Sequence, residues 1–298
     1  MKKIISLVLA VLMLVVALTA CGKKNSDFVA TDAADLLQED FGIAVKKGNS
    51  ELLEAVNKVI DEWVKDGTMT KYVDYYTALA DYEAGKDGVE KPEAGDLATT
   101  WDFGSATEVI TVYTESGFAP FEFISNGNVI GVDIAIMSQV AVNMGKKLDV
   151  KDVAFDTIPT CVEQATGDAV GAAGMTITDE RKEKVDFSSI YYSSTLVIVS
   201  AKDKAIDKVE DLDGLKVAVQ EGTSGDLIIS AAATADGHKY EVENDDGTTA
   251  EVVVKVGDGT EVARYKQYAL ALEDLKSGRV DAILMDKLPA LTMLAVAD

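Results

Sequence analysis

VITVYTESGFAPFEFISNGNVIGVDIAIMSQVAVNMGKKLDVKDVAFDTIPTCVEQATGDAVGAAGM (109–175) sets the rhythm of the chain. Val109–Tyr113 reads as a strand. Asp133–Met144 reads as a helix, with Ile136, Met137, Val140 and Met144 at helical spacing and Gly145 as its stop. Asp149–Ala154 is a second strand, Ile158–Thr166 a second helix and Ala169–Met175 a buried strand. Strand and helix in alternation imply βαβ units and a mostly parallel sheet, because parallel neighbours need a long crossover between them.

The same rhythm continues downstream. Thr195–Ser200 (TLVIVS) is a continuous β-branched run, expected to pass between two lobes. Leu215–Gln220 is a strand that turns at Gly222 into a helix through Leu227 and Ile228. Asp246-Gly247 lies between two alternating runs in 238–257, which signals a hairpin. Tyr268–Lys276 is a helix stopped by Gly278, Val280–Met285 a strand and Leu288–Val296 the last helix. Upstream, FGIAV after Asp40 reads as a strand. A helix then starts at Gly48-Asn49-Ser50 and runs through Leu52, Leu53, Val56, Val59, Ile60, Trp63 and Val64 to Gly67. A second helical piece holds Tyr72, Tyr75 and Leu79 and ends near Gly85. Residues 84–104 (AGKDGVEKPEAGDLATTWDFG) mix glycines, a proline and charges, as a linker does.

A length of 298 residues is ample for two lobes with separate cores. The formal net charge of −23 excludes nucleic acid as a partner, since no basic stripe is there to neutralise phosphates. Lys2 and Lys3 precede an apolar stretch, Ile4–Ala20, with the anatomy of a secretory leader. It closes on Leu18-Thr19-Ala20-Cys21-Gly22, which resembles the lipobox of bacterial lipoproteins and implies lipidation of Cys21. The alternative is an uncleaved anchor, because the stretch approaches the length of a short membrane span. Residues 1–20 are thus read as a signal peptide and 21–26 as a tether. Cys161 is the only other cysteine, so no internal disulfide is expected; its place in a helix suggests a small buried apolar residue. His238 is the only histidine and reads as part of a polar turn, which leaves a Ser-His-Asp triad or a metal site little to work with. No metal and no cofactor are expected.

Four segments carry a family resemblance. GMTITDERKEKVDFS (174–188), VDAILMD (280–286) followed by KLPA, QEGTSG (220–225) and EVITVYTESGFAPFEF (108–123) resemble the bacterial extracellular solute-binding proteins of family 3, the polar amino-acid-binding components of ABC importers. The resemblance implies an α/β fold of the type II periplasmic-binding-protein kind. Its two lobes have mixed, mostly parallel sheets and are joined by a two-strand hinge. It also implies a monomer that captures a free amino acid between its lobes and delivers it to the transmembrane subunits of an ABC permease, while held to the outer face of the cell membrane by a lipid anchor. The segment QEDFGIAVKKGNSELLEAVNKVIDEWVKDGTMTKYVDY (38–75) resembles the family's closing segment, yet precedes its opening strand. The order implies circular permutation. Lobe one would comprise 42–83 and 105–199, lobe two 27–41 and 200–298, and 84–104 would join the family's original termini. The crossings are expected near Phe41–Lys46 and Thr195–Ser200. The hairpin of 238–257 looks like an insertion beyond the family core.

Matched to the family's motifs, Arg181 is the carboxylate-binding arginine, whose planar fork suits two carboxylate oxygens. Gly222, Thr223, Ser224 and Gly225 open a helix whose amides and hydroxyls could take the same carboxylate; Thr223 or Ser224 could equally be an ordinary N-cap. Asp286 ends an apolar strand, where a carboxylate is costly to bury without a partner, and matches the residue that pairs with the ligand ammonium. Asp281 starts that strand and is expected to be solvated or capping. The Gly174 carbonyl and Thr176 hydroxyl resemble the remaining ammonium contacts. Phe118 matches the aromatic over the ligand's aliphatic part, with Phe121 as core below it. Glu115 falls where some relatives carry an acid that meets a basic side chain, which favours arginine, lysine or ornithine among polar ligands; in so acidic a chain it could also be a solvated loop residue. Ala172 and Ala173 stand where polar residues are often found, and no second aromatic wall is assigned around Phe155.

Other readings use the same residues. An enzyme on this scaffold, such as a cyclohexadienyl dehydratase, would need an acid–base group in the cleft, and Glu115 is the evident candidate. A ligand-sensing module of a larger receptor is a third reading, although no later membrane segment follows in the sequence. The unusual order could also mark a broken fusion of two gene copies, although each family segment occurs once.

Overall fold

Two five-stranded sheets organise the computed structural model, which describes residues 24–33, 36, 38–243, 248–257 and 259–296. In the first sheet the strands run Val185–Phe187, Ala44–Lys46, Asp168–Gly171, Val109–Thr114, Lys147–Asp152. Val109–Thr114 is parallel to both of its neighbours, while Ala44–Lys46 is antiparallel to its own. In the second the order is Phe28–Asp32, Leu196–Ala201, Ala282–Asp286, Lys216–Gln220, Glu261–Tyr265. Lys216–Gln220 is parallel on both sides, and Leu196–Ala201 antiparallel on both. Both sheets are therefore mixed, the type II arrangement.

Helix Val132–Met144 is buried nearly all round, with Ile134, Ala135, Ile136, Met137, Val140 and Ala141 all inside. Its outer side is covered by helices Ser50–Asp66 and Thr68–Glu83. Ser50–Asp66 starts where the Asn49 side chain accepts the Leu52 N–H at 3.2 Å and stops at Gly67, which has a left-handed φ of 80°. It buries Leu52, Val56, Val59, Ile60 and Trp63; Val64, expected on that stripe, faces solvent. Each large side chain buried this way contributes about 1.5–3 kcal/mol. Residues 84–104 form no helix or strand, yet they lie against this lobe. Leu97, Trp101 and Phe103 pack on its core, and the Tyr72 hydroxyl donates to the Ala98 carbonyl at 2.9 Å.

Several expectations are corrected by tertiary bonds. FGIAV is not one strand: Glu39–Phe41 pairs with Tyr192–Ser194 as a two-stranded ribbon, and Ala44–Lys46 enters the first sheet. Between them the Gly42 N–H donates to Met175 O at 3.0 Å and the Ile43 N–H to Ser188 Oγ at 2.9 Å, so the backbone changes partners there. The run Thr195–Ser200 is not the crossing. Leu196–Ala201 lies wholly in the second sheet, buried along its length, and the crossing comes just before it, at Tyr192–Ser194. The strand expected over Ala169–Met175 ends at Gly171, because Gly174 adopts a left-handed φ of 53° and leaves the ladder. His238 begins a strand rather than lying in a turn: His238–Glu243 pairs antiparallel with Thr249–Val254, and the Asp246-Gly247 turn expected between them lies outside the described residues. Cys161 is half-buried, not fully inside. The leader and Cys21 also lie outside the described residues, and among those residues no helix is long and apolar enough to cross a membrane.

Candidate ligand cleft

Strand ends of both sheets meet at a narrow cleft. The first lobe lines it with Glu115, Phe118, Phe155, Ala173, Gly174 and Thr176, and the second with Gln220, Thr223, Ser224 and Asp286. Arg181 is adjacent, its Nη1 donating to Thr176 O at 2.7 Å and its Nη2 to Gly222 O, across the lobe boundary, at 3.0 Å. The structure thus brings Glu115, Phe118, Gly174, Thr176, Thr223, Ser224 and Asp286 to one space, with Arg181 and Gly222 beside it and Gly225 not among its lining residues.

Arg181 sits in the short helix Asp179–Lys182, where the Thr178 hydroxyl caps it by accepting the Arg181 N–H at 3.2 Å. Only 7% of the residue is exposed, and its guanidinium carbon lies 5.2 Å from the centre of the Phe155 ring. Burial pushes its pKa down to about 10, opposed by the charges of Glu39 and Asp286. It therefore stays a cation at neutral pH. Among the described residues no carboxylate comes within ion-pair distance of it. Asp286 ends strand Ala282–Asp286 and is 5% exposed, and its Oδ1 has no hydrogen-bond partner among the described residues. Burial, then the nearby Glu39 charge, raises its pKa to about 7. Asp281, at the other end, accepts the Lys216 N–H at 2.9 Å and is exposed.

Gly174 is a glycine for two reasons. Its φ is left-handed, and a Cβ there would lie 2.5 Å from Phe118 Cε1. The Phe118 ring lies against Gly174, 5.9 Å from the Phe121 ring below it and 6.3 Å from Tyr268 of the second lobe, to which it is nearly parallel. The Gly174 N–H donates to Asp133 Oδ2 at 3.0 Å, a fully buried carboxylate at the start of helix Val132–Met144. At the start of helix Ser224–Ala232, Thr223 is an N-cap: its hydroxyl accepts the Asp226 N–H at 3.3 Å and donates to Gln220 O at 2.8 Å. The Gly222 N–H donates to Asp226 Oδ2 at 3.0 Å. Gly222 and Thr223 therefore spend their amide and hydroxyl within the turn, and Ser224 presents the uncommitted hydroxyl.

Glu115 is not a solvated loop residue. It is 3% exposed, and its two oxygens accept from Gln220 Nε2 and Gln267 Nε2, each at 2.8 Å, both from the other lobe. Burial raises its pKa even so. Lys266 and Asp156 make a further contact between lobes at 3.1 Å. The lobes are closed on one another.

Gln267, Tyr268, Phe155 and Glu39 were not assigned from sequence. Gln220 and Glu39 stand inside quoted motifs, but nothing local marks Gln267 or Tyr268, which reach the cleft from the start of a helix in the second lobe. Among the described residues no group of three His, Cys, Asp or Glu side chains is placed to hold a metal ion.

A cleft between two closed mixed-sheet lobes, with a buried cation and a bare carboxylate oxygen at one end, is the architecture of the two-lobed binding-protein fold. The model of the bacterial extracellular solute-binding proteins, family 3, matches residues 110–256. The L-cystine-binding protein TcyA of Bacillus subtilis is 30% identical over 222 residues, covering 73% of this chain and 71% of that protein. The arginine-binding extracellular protein ArtP of the same organism is 35% identical over 119 residues, 40% of this chain and 46% of its own length. The arginine-bound form of truncated ArgBP from T. maritima superposes with a TM-score of 0.51 at 33% identity, over 63% of this chain and 77% of that one. The chain belongs to the extracellular solute-binding proteins of family 3. The match spans less than half the length of ArtP.

Proposed function

We propose that this chain is an extracellular amino-acid-binding lipoprotein that captures a free amino acid between its lobes and presents it to the permease of an ABC importer. The observation that carries the reading is Arg181: a buried guanidinium held by carbonyls of both lobes, with, among the described residues, no carboxylate partner of its own and no donor to the Asp286 oxygen across the cleft. A zwitterion supplies both missing charges. Its carboxylate would meet Arg181 and the Ser224 hydroxyl; its ammonium would meet Asp286, the Gly174 carbonyl and the Thr176 hydroxyl, with Phe118 over the aliphatic part. Arg181 and Asp286 come from opposite lobes, so only the closed state makes both contacts, and that differential contact lets ligand shift the open–closed equilibrium. The names of ArtP and ArgBP, with Glu115 in the cleft, favour a basic side chain. Family membership supports an extracytoplasmic location, and Cys21 the lipid anchor.

The permuted order is part of the proposal, with lobe one as 42–83 and 105–195, lobe two as 27–41 and 196–296, and 84–104 as the join. Phe28–Asp32 adds to the second sheet, Glu39–Phe41 to the hinge and Ala44–Lys46 to the first sheet, so the early segment complements both lobes. Moving residues 27–83 to follow Asp298, and opening the chain in 84–104, should give a protein with unchanged affinity; loss of folding would count against the permuted reading.

An enzyme on this scaffold would use Glu115 as its acid–base group, but both Glu115 oxygens are held by amides. Calorimetry with the twenty amino acids tests the binding reading, and a folded protein that binds none would end it.

A further inference from the structure

Glu39 lies in the hinge strand Glu39–Phe41, directly opposite Ser194 of the other crossing strand. It is 6% exposed, and its Oε2 has no hydrogen-bond partner among the described residues. It lines a cavity together with Thr176 and Ser224, and those two residues also line the interlobe cleft. Asp286 pairs with Leu196, just after the crossing strand that carries Ser194. The hinge thus brings Glu39, in a cavity adjoining the cleft, near enough to Asp286 for its charge to act on it, and each of the two carboxylates has a bare oxygen. Among the charges acting on Arg181, Glu39 ranks ahead of Asp286. A carboxylate oxygen buried without a donor is destabilising; the nearby Arg181 charge favours the ionised pair, but among the described residues no donor reaches Asp286 Oδ1 or Glu39 Oε2.

We infer that Glu39 is a second anionic contact for the ligand's α-ammonium, acting from the hinge beside Asp286; the inference rests on the amino-acid reading above. An ammonium has three donors, which Asp286 Oδ1, the Gly174 carbonyl and Glu39 Oε2 would accept, the Thr176 hydroxyl sharing one of them. Ligand contact on a strand that crosses between the lobes ties occupancy directly to closure. A ligand bound without that contact closes the lobes less completely.

The test is calorimetry of the full chain and its Glu39→Gln variant with L-arginine and L-glutamine. Each is set against its counterpart lacking only the α-amino group, 5-guanidinopentanoate and 4-carbamoylbutanoate, with thermal unfolding as the control for fold. Glu39→Gln is expected to weaken the amino acid that binds the unaltered protein at least tenfold, and its desamino counterpart less than twofold. Combined with Asp286→Asn, its effect should be smaller than the product of the two losses. Equal weakening of the amino acid and its desamino counterpart would mean a hinge effect only and overturn the assignment, as would unchanged affinity for both. If the unaltered protein binds neither, the tightest of the twenty amino acids and its desamino counterpart take their place; a folded protein that binds none of the twenty ends the amino-acid reading and takes this assignment with it. Should Glu39→Gln not fold, Glu39→Asp, which keeps the charge and retracts the oxygens, serves for the same comparison.

Discussion

The two ends of the cleft are built differently although both hold buried charge. At one end Glu115 is held by protein: Gln220 and Gln267 of the opposite lobe each donate to one of its oxygens. At the other end, among the described residues, Arg181 is anchored to carbonyls without an ion-pair partner and Asp286 has an oxygen that no donor meets. The first end is a latch that closed lobes make for themselves. The second is left incomplete, and an incomplete buried charge pair is the feature a ligand can complete. Burying polar groups without partners destabilises a protein, so such a site persists only where binding offsets the cost.

The contrast is most easily broken at Arg181. Arg181→Ala should weaken amino-acid binding by roughly 100-fold or more, since truncating one partner of a buried charge pair costs about 2–5 kcal/mol; calorimetry reads this directly. Asp286→Asn removes the charge but not the shape, and we expect a loss of about 30-fold, from the low end of the same range. Next comes pH. The Asp286 pKa is raised from 3.8 to about 7, so the folded, ligand-free protein holds a proton that the unfolded chain has already released. Its contribution to stability is full below the unfolded value and is lost as pH rises through the folded one. Asp133, also raised to about 7 by burial, has the same sign. The thermal midpoint of the ligand-free protein should therefore fall as pH increases across that window. Ligand ammonium favours ionised Asp286, so affinity should rise over the same window. Below neutral pH binding should release protons, seen as a buffer-dependent calorimetric enthalpy. The smallest effect is expected at the latch. Gln267→Ala removes one of the two donors to Glu115 and should change affinity for neutral amino acids by less than about fivefold, the scale of one hydrogen bond of about 1 kcal/mol. A larger loss there than at Asp286 would reverse the comparison.

How much of this was legible in the sequence follows from where the partners lie. The βαβ rhythm of 109–175 and the caps at Asn49, Gly67 and Gly145 are local signals, and the elements they mark are present. Arg181, Gly174 and Thr176 lie within one short stretch, and Asp286 closes an apolar strand, so a motif could point to them. The breaks were hidden. FGIAV and AVGAAGM read as continuous strands because their apolar character is unbroken. Their backbones are turned out of the sheets by distant partners: Ser188 for Ile43, and Asp133 for Gly174. Gln267 meets Glu115 and Tyr268 stacks on Phe118, both across the lobe boundary, and no local pattern encodes a contact between lobes. Glu39 was hidden by its position in a strand whose neighbour, Ser194, lies far along the chain.

The most direct test of the bridge between Arg181 and Asp286 is calorimetry of the full chain with the twenty amino acids, followed by the α-carboxamide of the tightest one. The account predicts saturable one-to-one binding of at least one amino acid and roughly 100-fold weaker binding of its amide, which cannot pair with the Arg181 guanidinium as a carboxylate does. Equal binding of amino acid and amide, or a folded protein that binds no amino acid, would contradict it.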